Sequence, residues 1–418
     1  MPSKDVYVYV DWDGIAGPVL MGILHADISR GKEVFSFSVD AGWLEHNQFR
    51  ILDPDMGRFT GPQYLMDEKP NFGVFLDSSP DRWGRMLMRR REAILARQEG
   101  RKPQTLFETD YLLGVYDPNR MGALRFKLTP DGEFLNDNKS LATPPWASIR
   151  DLEYASLQLE RNDIKDDPEY AKWLAMLFTP GSSLGGARPK ANVLDERGRL
   201  WIAKFPSGND AKDIGAWEAV ASELAQGCGI WVAETKAQRF SGRQHTFLSR
   251  RFDRTEAGAR IHFSSAMTML GQTDGNDYAE GVSYLSLVEF IMTSGADVDL
   301  NLEQLWRRIV FNIAISNCDD HLRNHGFILT NRGWTLSPAY DMNPDERGAG
   351  LKLNISEDDN SLSFDLAMEV APFFRLSEKQ ALNILNDVKS SVSNWRKVAA
   401  KYGIARAEQE EMETAFRI

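Results

Sequence analysis

The chain contains 418 residues, of which 42% are hydrophobic and 26% are charged, and it carries a formal net charge of −11. This length is too great for one compact core, so we expect two or three folded units with the composition of a globular protein. The negative charge argues against broad electrostatic binding to nucleic acid, because affinity for phosphate depends on Lys and Arg.

Cysteine usage and the lack of targeting segments favour a reducing cytoplasm. Cys228 and Cys318 are the only cysteines and stand far apart in sequence, which argues against a disulfide framework and against a cysteine zinc site. Residues 1–12 lack the apolar core of a signal peptide, and no run of about 18 uninterrupted apolar residues follows. We therefore expect a cytoplasmic protein that does not enter a membrane.

Residues 1–140 are predicted to form a mainly β subdomain. The segments 6–10 and 34–39 are rich in β-branched and aromatic residues, and glycine-containing turns surround them. A polar stretch over 129–145 contains several prolines and makes a poor core element. We place the boundary with the next domain in this stretch.

A basic helix is predicted near the middle of this subdomain. It covers residues 86–97 and follows a helix-start pattern at Pro80. Its Arg89, Arg90 and Arg91 could form a patch for nucleic acid or a protein partner. A solvated helix face is the favoured interpretation.

A loop of small residues at 181–190 lies in the second predicted domain, which covers residues 141–253. Its glycines would let backbone N–H groups approach an anion closely, and Arg188 and Lys190 add positive charge. The pattern suits a phosphate cradle, although it is not a P-loop. An ordinary flexible loop is an equal alternative.

A lysine on a strand follows this loop. Residues 191–205 predict a β-hairpin, and Lys204 lies on an apolar face of its second strand. Kinases hold the α- and β-phosphates of ATP with such a lysine, which pairs with a glutamate on a helix. The helix predicted over 214–226 offers Glu218 and Glu223. Alternatively, Lys204 is an edge-strand residue that extends to solvent.

The third predicted domain, residues 254–418, is mainly helical and contains the most informative spacing. A helix over 302–315 carries an apolar stripe typical of a core helix, and a polar loop follows it. In that loop Asp319 lies five residues before Asn324. This is the interval of a kinase catalytic loop, in which the Asp accepts the proton of the substrate hydroxyl and the Asn binds Mg²⁺.

A second carboxylate follows the loop. Two apolar runs at 327–330 and 334–337 predict a hairpin, which leads to Asp341. Kinases keep a second Mg²⁺-binding Asp just past such a hairpin. Three side chains with oxygen ligands, those of Asp319, Asn324 and Asp341, are thus predicted to converge.

Other interpretations of these residues stay open at this point. Asp319 and Asp320 could lie in a solvated loop, Asn324 could form a turn, and Asp341 could cap a helix. His321 could be a structural histidine. Metal-dependent hydrolysis at Asp319, Asp320 and His321 is a weaker hypothesis, because nothing supplies a second cluster of ligands at the usual spacing.

Five motifs in this order resemble the HipA family, bacterial serine/threonine kinases that serve as toxins of HipA/HipB modules. They are Ser-x-x-Gly-Ala-x-x-Lys at 183–190, Lys204, Arg-Phe-Asp-Arg at 251–254, Asn-x-Asp-x-His-x-x-Asn at 317–324 and Pro-Ala-Tyr-Asp at 338–341. The resemblance covers essentially the whole chain. It implies an α+β fold, namely a bilobal protein-kinase-like fold with an N-terminal β-rich subdomain and a mainly helical C-terminal lobe.

The resemblance also implies roles for individual residues. Asp319 matches the catalytic base, Asn324 and Asp341 match the Mg²⁺ ligands, and Ser183 falls on the position that family members autophosphorylate. The residues implied to bind ATP belong to the nucleotide loop, the phosphate-binding strand, the hinge and the two loops around the metal: Leu184, Gly185, Gly186, Ala187, Arg188, Lys190, Lys204, Arg250, Arg251, Phe252, His321, Asn324, Tyr340 and Asp341.

The implied function is transfer of the γ-phosphoryl group of ATP, with Mg²⁺, to a serine or threonine of a protein. Family members phosphorylate translation components such as glutamyl-tRNA synthetase, an aminoacyl-tRNA synthetase, and autophosphorylation shuts down their ATP binding. A HipB-like helix-turn-helix antitoxin neutralises them and binds operator DNA. Two alternatives stay open: a small-molecule kinase of the aminoglycoside type, and a catalytically silent corepressor of a DNA-binding partner.

Overall fold

The computed structural model describes residues 3–161, 169–177, 186 and 188–418. These residues fall into two compact units. The first comprises Met1–Gly208 with Asp253–Ser264, and the second comprises Asn209–Phe252 with Ser265–Ile418. The boundary expected near residue 140 lies within the first unit, so the division into three domains stays a prediction. In the ranges described, no helix is both long and apolar enough to cross a membrane.

A five-stranded antiparallel sheet forms part of the first unit. Its strands are β1 (Lys4–Val10), β2 (Val19–Ser29), β3 (Lys32–Val39), β4 (Gln63–Tyr64) and β5 (Leu124–Lys127), in the order β4-β3-β2-β1-β5. Alternate side chains of β1, those of Val6, Val8 and Val10, are fully buried, as the period of two requires. The strands predicted at 6–10 and 34–39 are confirmed.

The long strand β2 was not predicted from the sequence. It contains Gly22, a residue that is uncommon inside strands, and the packing of β3 explains why glycine stands there. A Cβ atom on Gly22 would lie 2.3 Å from the carbonyl oxygen of Ser38 and 2.6 Å from the Phe37 ring. A glycine inside an apolar run suggests a break, but here it permits the close approach of β3.

The helices of the first unit are α1 (Ala41–Leu44), α2 (Gly73–Asp77), α3 (Arg82–Gln98), α4 (Glu108–Gly114), α5 (Ile149–Glu160) and α6 (Tyr170–Leu177). The predicted basic helix is confirmed as α3, but it begins earlier, because Asp81 caps it and accepts a hydrogen bond from the Gly84 N–H at 2.8 Å. The Arg90 guanidinium donates to the Leu159 carbonyl at 2.6 Å. This contact commits Arg90 to packing within the first unit, and both interpretations of the three arginines stay predictions.

Two further strands, β6 (Lys190–Leu194) and β7 (Leu200–Lys204), form the hairpin predicted over 191–205. The Asp195 carboxylate accepts two backbone N–H groups of the turn at 2.9 Å. In the antiparallel register Lys190 lies directly opposite Lys204. The end of the predicted anion loop and the predicted phosphate-binding lysine are therefore neighbours.

A buried arginine joins several segments of the first unit. The Arg120 guanidinium is fully buried and donates to the backbone carbonyls of Ser78, Leu112, Val115 and Leu135 at 2.8, 2.8, 3.1 and 2.9 Å. Burial lowers the pKa of Arg120 to about 9. Since all four acceptors are backbone oxygens, this one side chain fixes the path of the chain at four places.

The second unit is mainly helical. Its elements, with a short strand β10 at the junction of the two units in the sequence, are α7 (Ile214–Gly227), β8 (Thr235–Gln238), β9 (Thr246–Arg250), β10 (Phe263–Ser265), α8 (Ala266–Met269), α9 (Tyr284–Ser294), α10 (Val298–Ala314), β11 (Gly326–Thr330), β12 (Gly333–Leu336), α11 (Phe364–Val370), α12 (Glu378–Val392), α13 (Trp395–Lys401) and α14 (Arg406–Glu411). Strands β8 and β9 pair antiparallel, and so do β11 and β12, which confirms the hairpin predicted before Asp341.

Helix α10 forms the buried centre of the second unit. The apolar stripe predicted from the sequence is fully buried at Leu302, Leu305, Trp306, Ile309, Val310 and Ile313. The helix ends at Ala314 and leads at once into residues 316–325, which we call the 316–325 loop. A rigid core helix therefore anchors one end of this loop.

A buried chain of polar groups anchors the rest of the loop. The Asp320 carboxylate accepts hydrogen bonds from the Tyr284 hydroxyl and, at 2.6 Å, from the Lys352 N–H. Asn312 Nδ2 donates to the Tyr284 hydroxyl at 3.1 Å, and Asn317 Nδ2 donates to Asn312 Oδ1 at 3.0 Å. Burial raises the pKa of the Asp320 carboxyl to about 7. We call this set of side chains the polar chain.

We expect Arg120→Lys to destabilise the first unit by about 3 kcal/mol, because lysine cannot reach four carbonyls and leaves buried acceptors without donors. The measurement is the urea midpoint of unfolding. Arg197→Lys, at an exposed position of the β6–β7 turn, is the matched control and should keep the parental midpoint. A parental midpoint for Arg120→Lys would contradict the role assigned to the guanidinium.

The raised pKa of Asp320 predicts a pH dependence of stability. The folded chain binds this proton more tightly than the unfolded chain, so the stabilisation is complete below the unfolded pKa of 3.8 and is lost as the pH rises through about 7. Asp320→Asn should therefore flatten the decline in unfolding free energy from about pH 5.5 to about pH 8 by on the order of 2 kcal/mol.

Urea unfolding without Mg²⁺ at several pH values measures this difference. The buried Asp53, whose pKa burial raises to about 6, contributes a slope to both proteins, so only the difference between them reports Asp320. Asp358→Asn changes an exposed carboxylate that does not contribute to the raised pKa of Asp320 and is the control. Parallel pH profiles for the parent and Asp320→Asn would contradict the prediction.

Candidate functional site

Two adjacent aspartates of the 316–325 loop have opposite environments. The side chain of Asp319 is 75% exposed, whereas Asp320 is 1% exposed and bonded within the polar chain. His321 Nε2 lies 3.9 Å from the Asp319 carboxylate. Of the two carboxylates, only Asp319 is therefore accessible to a substrate hydroxyl, and the structure assigns Asp320 a supporting position.

The Asn324 side chain has one bonded end and one unbonded end. Its Nδ2 donates to the backbone carbonyl of Asp319 at 2.7 Å, and the 3₁₀ turn Leu322–Asn324 places it there. Its Oδ1 is buried and has no hydrogen-bond partner among the described residues. Because a buried acceptor without a donor is costly, this atom is suited to a ligand such as a metal ion.

Asp341 follows the β11–β12 hairpin in an unusual backbone conformation. Its φ is +56°, in the left-handed region that non-glycine residues rarely adopt and that recurs at functional sites. The Ala339 N–H donates to the Trp231 carbonyl at 2.7 Å, and the Tyr340 hydroxyl donates to the Arg323 carbonyl at 2.8 Å. The second of these bonds brings the chain around Asp341 against the chain around Asn324.

Two further contacts support the segment before and after Asp341. The Asn343 N–H donates to the Asn317 side chain at 3.3 Å, which extends the polar chain to this segment. The buried Arg308 guanidinium on α10 donates to the Ser337 carbonyl, and burial lowers the pKa of Arg308 to about 10. Both ends of the Asp341 segment are thus tied to elements that also carry the 316–325 loop.

The side chains present suit a hard cation such as Mg²⁺. The buried Asn324 Oδ1 and the Asp341 carboxylate are oxygen ligands, which Mg²⁺ prefers, and Mg²⁺ usually takes one or two carboxylates with substrate phosphates. Across the described ranges no group of three His, Cys, Asp or Glu side chains lies together. The Asn324 amide would therefore be needed to complete the set.

The predicted nucleotide loop lies mostly outside the described residues, and this applies to Ser183, Leu184, Gly185 and Ala187. Its base belongs to the first unit. Lys190 Nζ forms a buried ion pair with the Asp81 carboxylate at 2.9 Å and donates to the Gly186 carbonyl at 3.2 Å. No local pattern in the sequence indicates Asp81 as the partner of Lys190, because the two residues are 109 positions apart. Arg188 is half-buried.

The predicted phosphate-binding lysine is nearly buried, since Lys204 is 9% exposed. Of the two candidate partners, Glu223 binds Lys401 at 2.7 Å and the Tyr402 hydroxyl at 3.0 Å, both at the C-terminal end of α13. Glu218 is 3% exposed. Glu223 is therefore engaged within the second unit, and the pairing of Lys204 with either glutamate stays a prediction.

The predicted hinge, Arg250 to Phe252, lies at the end of Asn209–Phe252, the first of the two segments that form the second unit. The Phe252 ring lies 5.7 Å from the Tyr340 ring, next to Asp341, and Arg251 is buried. Asp253 and Arg254 complete the Arg-Phe-Asp-Arg motif at 251–254, and the sequence indicates no role for them. Asp253 accepts a hydrogen bond from the Gly122 N–H at 2.9 Å, and Arg254 donates to the Arg120 carbonyl at 2.8 Å.

The chain is similar to known proteins over much of its length. The sequence profile of the HipA-like C-terminal domain matches residues 182–395, just over half of the chain. A candidate kinase of Sinorhizobium fredii, Y4dM, is 26% identical over 323 residues, which cover 73% of this chain and 72% of that protein. A candidate kinase of Haemophilus influenzae is 27% identical over 180 residues, which cover 38% of this chain and 52% of that protein.

A solved structure confirms the fold class. The chain resembles Shewanella oneidensis HipA, solved in a complex with HipB and its operator DNA, with a TM-score of 0.66 and 17% identity. The match covers 98% of this chain and 94% of that chain, so the likeness extends over both units. The α+β, HipA-like fold expected from the motifs is confirmed. The chain therefore belongs to the family of proteins with a HipA-like C-terminal domain.

Proposed function

We propose that this chain is a serine/threonine protein kinase that transfers the γ-phosphoryl group of Mg²⁺-ATP to a protein hydroxyl. One observation carries the proposal, and it concerns the two ends of the Asn324 amide. Its Nδ2 donates to the backbone carbonyl of the exposed Asp319, and its Oδ1 is buried without a hydrogen-bond partner among the described residues. A single side chain thus links the proposed base to the proposed metal, which is the relation expected of a kinase catalytic loop.

Asp319 would act on the substrate hydroxyl. The hydroxyl oxygen bonds to the γ-phosphorus, its proton passes to the Asp319 carboxylate, and the bond to the β-γ bridging oxygen breaks with that oxygen leaving on ADP. The exposure of Asp319 permits this contact, and the Asn324 bond fixes its backbone. Positioning of the hydroxyl would supply much of the rate.

Asn324 and Asp341 would hold the metal, and Lys204 would hold the α- and β-phosphates. When bound, Mg²⁺ neutralises the charge that develops on the transferred phosphoryl group. The Asp81–Lys190 ion pair would keep the base of the nucleotide loop in place. Arg250, Arg251 and Phe252 are the proposed hinge, and His321 and Tyr340 complete the proposed nucleotide contacts.

Regulation and partners are proposed on the family relationship. We propose that Ser183 is autophosphorylated and that this modification shuts down ATP binding. The fold shared with a HipA that was solved with HipB and operator DNA supports a HipB-like antitoxin as partner, with operator DNA reached through it. The substrate would be a cytoplasmic translation component such as an aminoacyl-tRNA synthetase.

Asp319→Asn should abolish phosphoryl transfer, by about 10³-fold or more, because the amide cannot accept the hydroxyl proton. Since Asp319 is exposed, ATP binding and the urea midpoint should stay near parental values. The measurement is peptide mass spectrometry after incubation with Mg²⁺-ATP, which should show one phosphate on Ser183 in the parent only. Asp358→Asn, at an exposed position, is the control.

The other outcomes of that experiment discriminate the alternatives. A fully active Asp319→Asn variant would rule out the assigned base. Phosphorylation of a soluble metabolite with no labelled protein would identify a small-molecule kinase. ATP binding without any transfer by the parent, alone or with its partner, would indicate a silent corepressor.

Asn324→Ala should raise the Mg²⁺ concentration needed for half-maximal transfer by on the order of tenfold, because a metal ligand and the support of Asp319 are both lost. Self-phosphorylation measured across Mg²⁺ concentrations at saturating ATP tests this. Asn331→Ala, at an exposed position of the β11–β12 turn, is the control and should leave the Mg²⁺ dependence unchanged. An unchanged Mg²⁺ dependence of Asn324→Ala would argue against Asn324 as a ligand.

A further inference from the structure

The 316–325 loop begins with a residue in an unfavourable backbone conformation. Ser316 has a φ of +50° and is 1% exposed. Left-handed backbone costs a non-glycine residue roughly 1–2 kcal/mol, so surrounding contacts must hold it there. Ser316 lies between the end of α10 and Asp319. Its backbone conformation therefore affects the direction in which the loop leaves α10.

Contacts on two sides hold Ser316. Its N–H donates to the Ile313 carbonyl at 3.2 Å, and its Oγ accepts a hydrogen bond from Arg417 Nε at 3.0 Å. On the other side lies Gly348, where a Cβ atom would come within 3.0 Å of the Ser316 Cβ. The Arg417 bond is the only one of these contacts made by a charged side chain from a distant part of the sequence.

Arg417 is itself held independently of Ser316. Its N–H donates to the carbonyl of Ala314, the last residue of α10, at 2.8 Å. The preceding residue, Phe416, is buried and stacks on the Trp395 ring with centroids 4.2 Å apart and an interplanar angle of 5°. The Trp217 ring on α7 lies 5.9 Å from the Phe416 ring. The guanidinium is thus delivered to Ser316 from a fixed backbone.

We propose that Arg417 is a positioning residue for phosphoryl transfer, an inference that rests on the proposed kinase function. It holds Ser316 in the left-handed conformation and so sets the path of the chain from α10 to Asp319. Asn317 then donates its N–H to the Asn312 carbonyl at 2.8 Å and joins the polar chain through its side chain. Arg417 acts through Ser316 and is not proposed to touch the substrate.

A merely structural role for Arg417 makes a different prediction. If it only attached the C-terminal segment, Arg417→Ala would lower the unfolding midpoint, and the effect on the folded enzyme would not depend on the residue at 316. In the proposed role, glycine at 316 removes the need for Arg417, because glycine adopts the left-handed conformation without the steric cost. Alanine at 316 would keep that cost.

The test is the rate of self-phosphorylation across ATP concentrations for Arg417→Ala in the parent and in the Ser316→Gly background. In the parent we expect the plateau rate to fall about 3- to 10-fold, with little change in half-saturating ATP, which corresponds to one hydrogen bond. In the Ser316→Gly background the fall should be less than about twofold. An equal fall in both backgrounds, or none in the parent, overturns the proposal.

Arg406→Ala is the matched control. Arg406 lies in the same C-terminal segment, its side chain is 91% exposed, and it pairs only with Glu410 on its own helix among the contacts described. It should keep the parental rate. A fall like that of Arg417→Ala would show a general effect of removing charge from this segment and would overturn the proposal.

Hydrogen exchange separates failure of this proposal from failure of the proposed function. Amides of the 316–325 loop, measured by mass spectrometry without ATP, should exchange faster in Arg417→Ala than in the parent and in Arg406→Ala. Unchanged exchange overturns the positioning role even if the chain is a kinase. Faster exchange in a chain that transfers no phosphoryl group supports the positioning role and contradicts only the proposed function.

Discussion

The buried bond between the Tyr284 hydroxyl and the Asp320 carboxylate is the contact on which the candidate site depends. A carboxylate removed from water must be bonded, since an unmet acceptor costs free energy and an unbonded buried charge costs more. Tyr284 and the Lys352 N–H meet that need, and Asn312 and Asn317 extend the bonded set towards Asp341. Displacing the loop would break several buried bonds together, so these bonds hold its backbone in place.

This arrangement divides two tasks between two neighbouring carboxylates. The Asp320 carboxylate is buried and accepts hydrogen bonds from the Tyr284 hydroxyl and the Lys352 N–H, whereas the Asp319 side chain is 75% exposed. Their chemistry as amino acids is identical, and burial alone separates them. Asn324 makes a similar division within one side chain, because its nitrogen serves the backbone and its oxygen is left for a ligand.

In the first unit, a buried lysine fixes the base of the predicted nucleotide loop. Lys190 and Lys204 lie opposite each other on β6 and β7. The Lys190 ammonium forms an ion pair with Asp81, the N-cap of α3, and donates to the Gly186 carbonyl of the predicted nucleotide loop. A buried ion pair of this kind is a weak source of stability but a strong geometric constraint, since removal of either partner leaves an uncompensated charge. Its place in the fold is therefore to fix where the predicted loop ends at Lys190.

Local patterns in the sequence determined the elements and the order of the motifs. The period of two in β1 and β3, the apolar stripe of α10 and the interval from Asp319 to Asn324 are properties of neighbouring residues, and the fold bears out the first two directly. Only the tertiary structure decided which aspartate is exposed, which glutamate is engaged by Lys401, and which partners Lys190 and Asp253 find 109 and 131 residues away. Such contacts depend on how distant segments pack, and no local pattern encodes the identity of a partner that far along the chain.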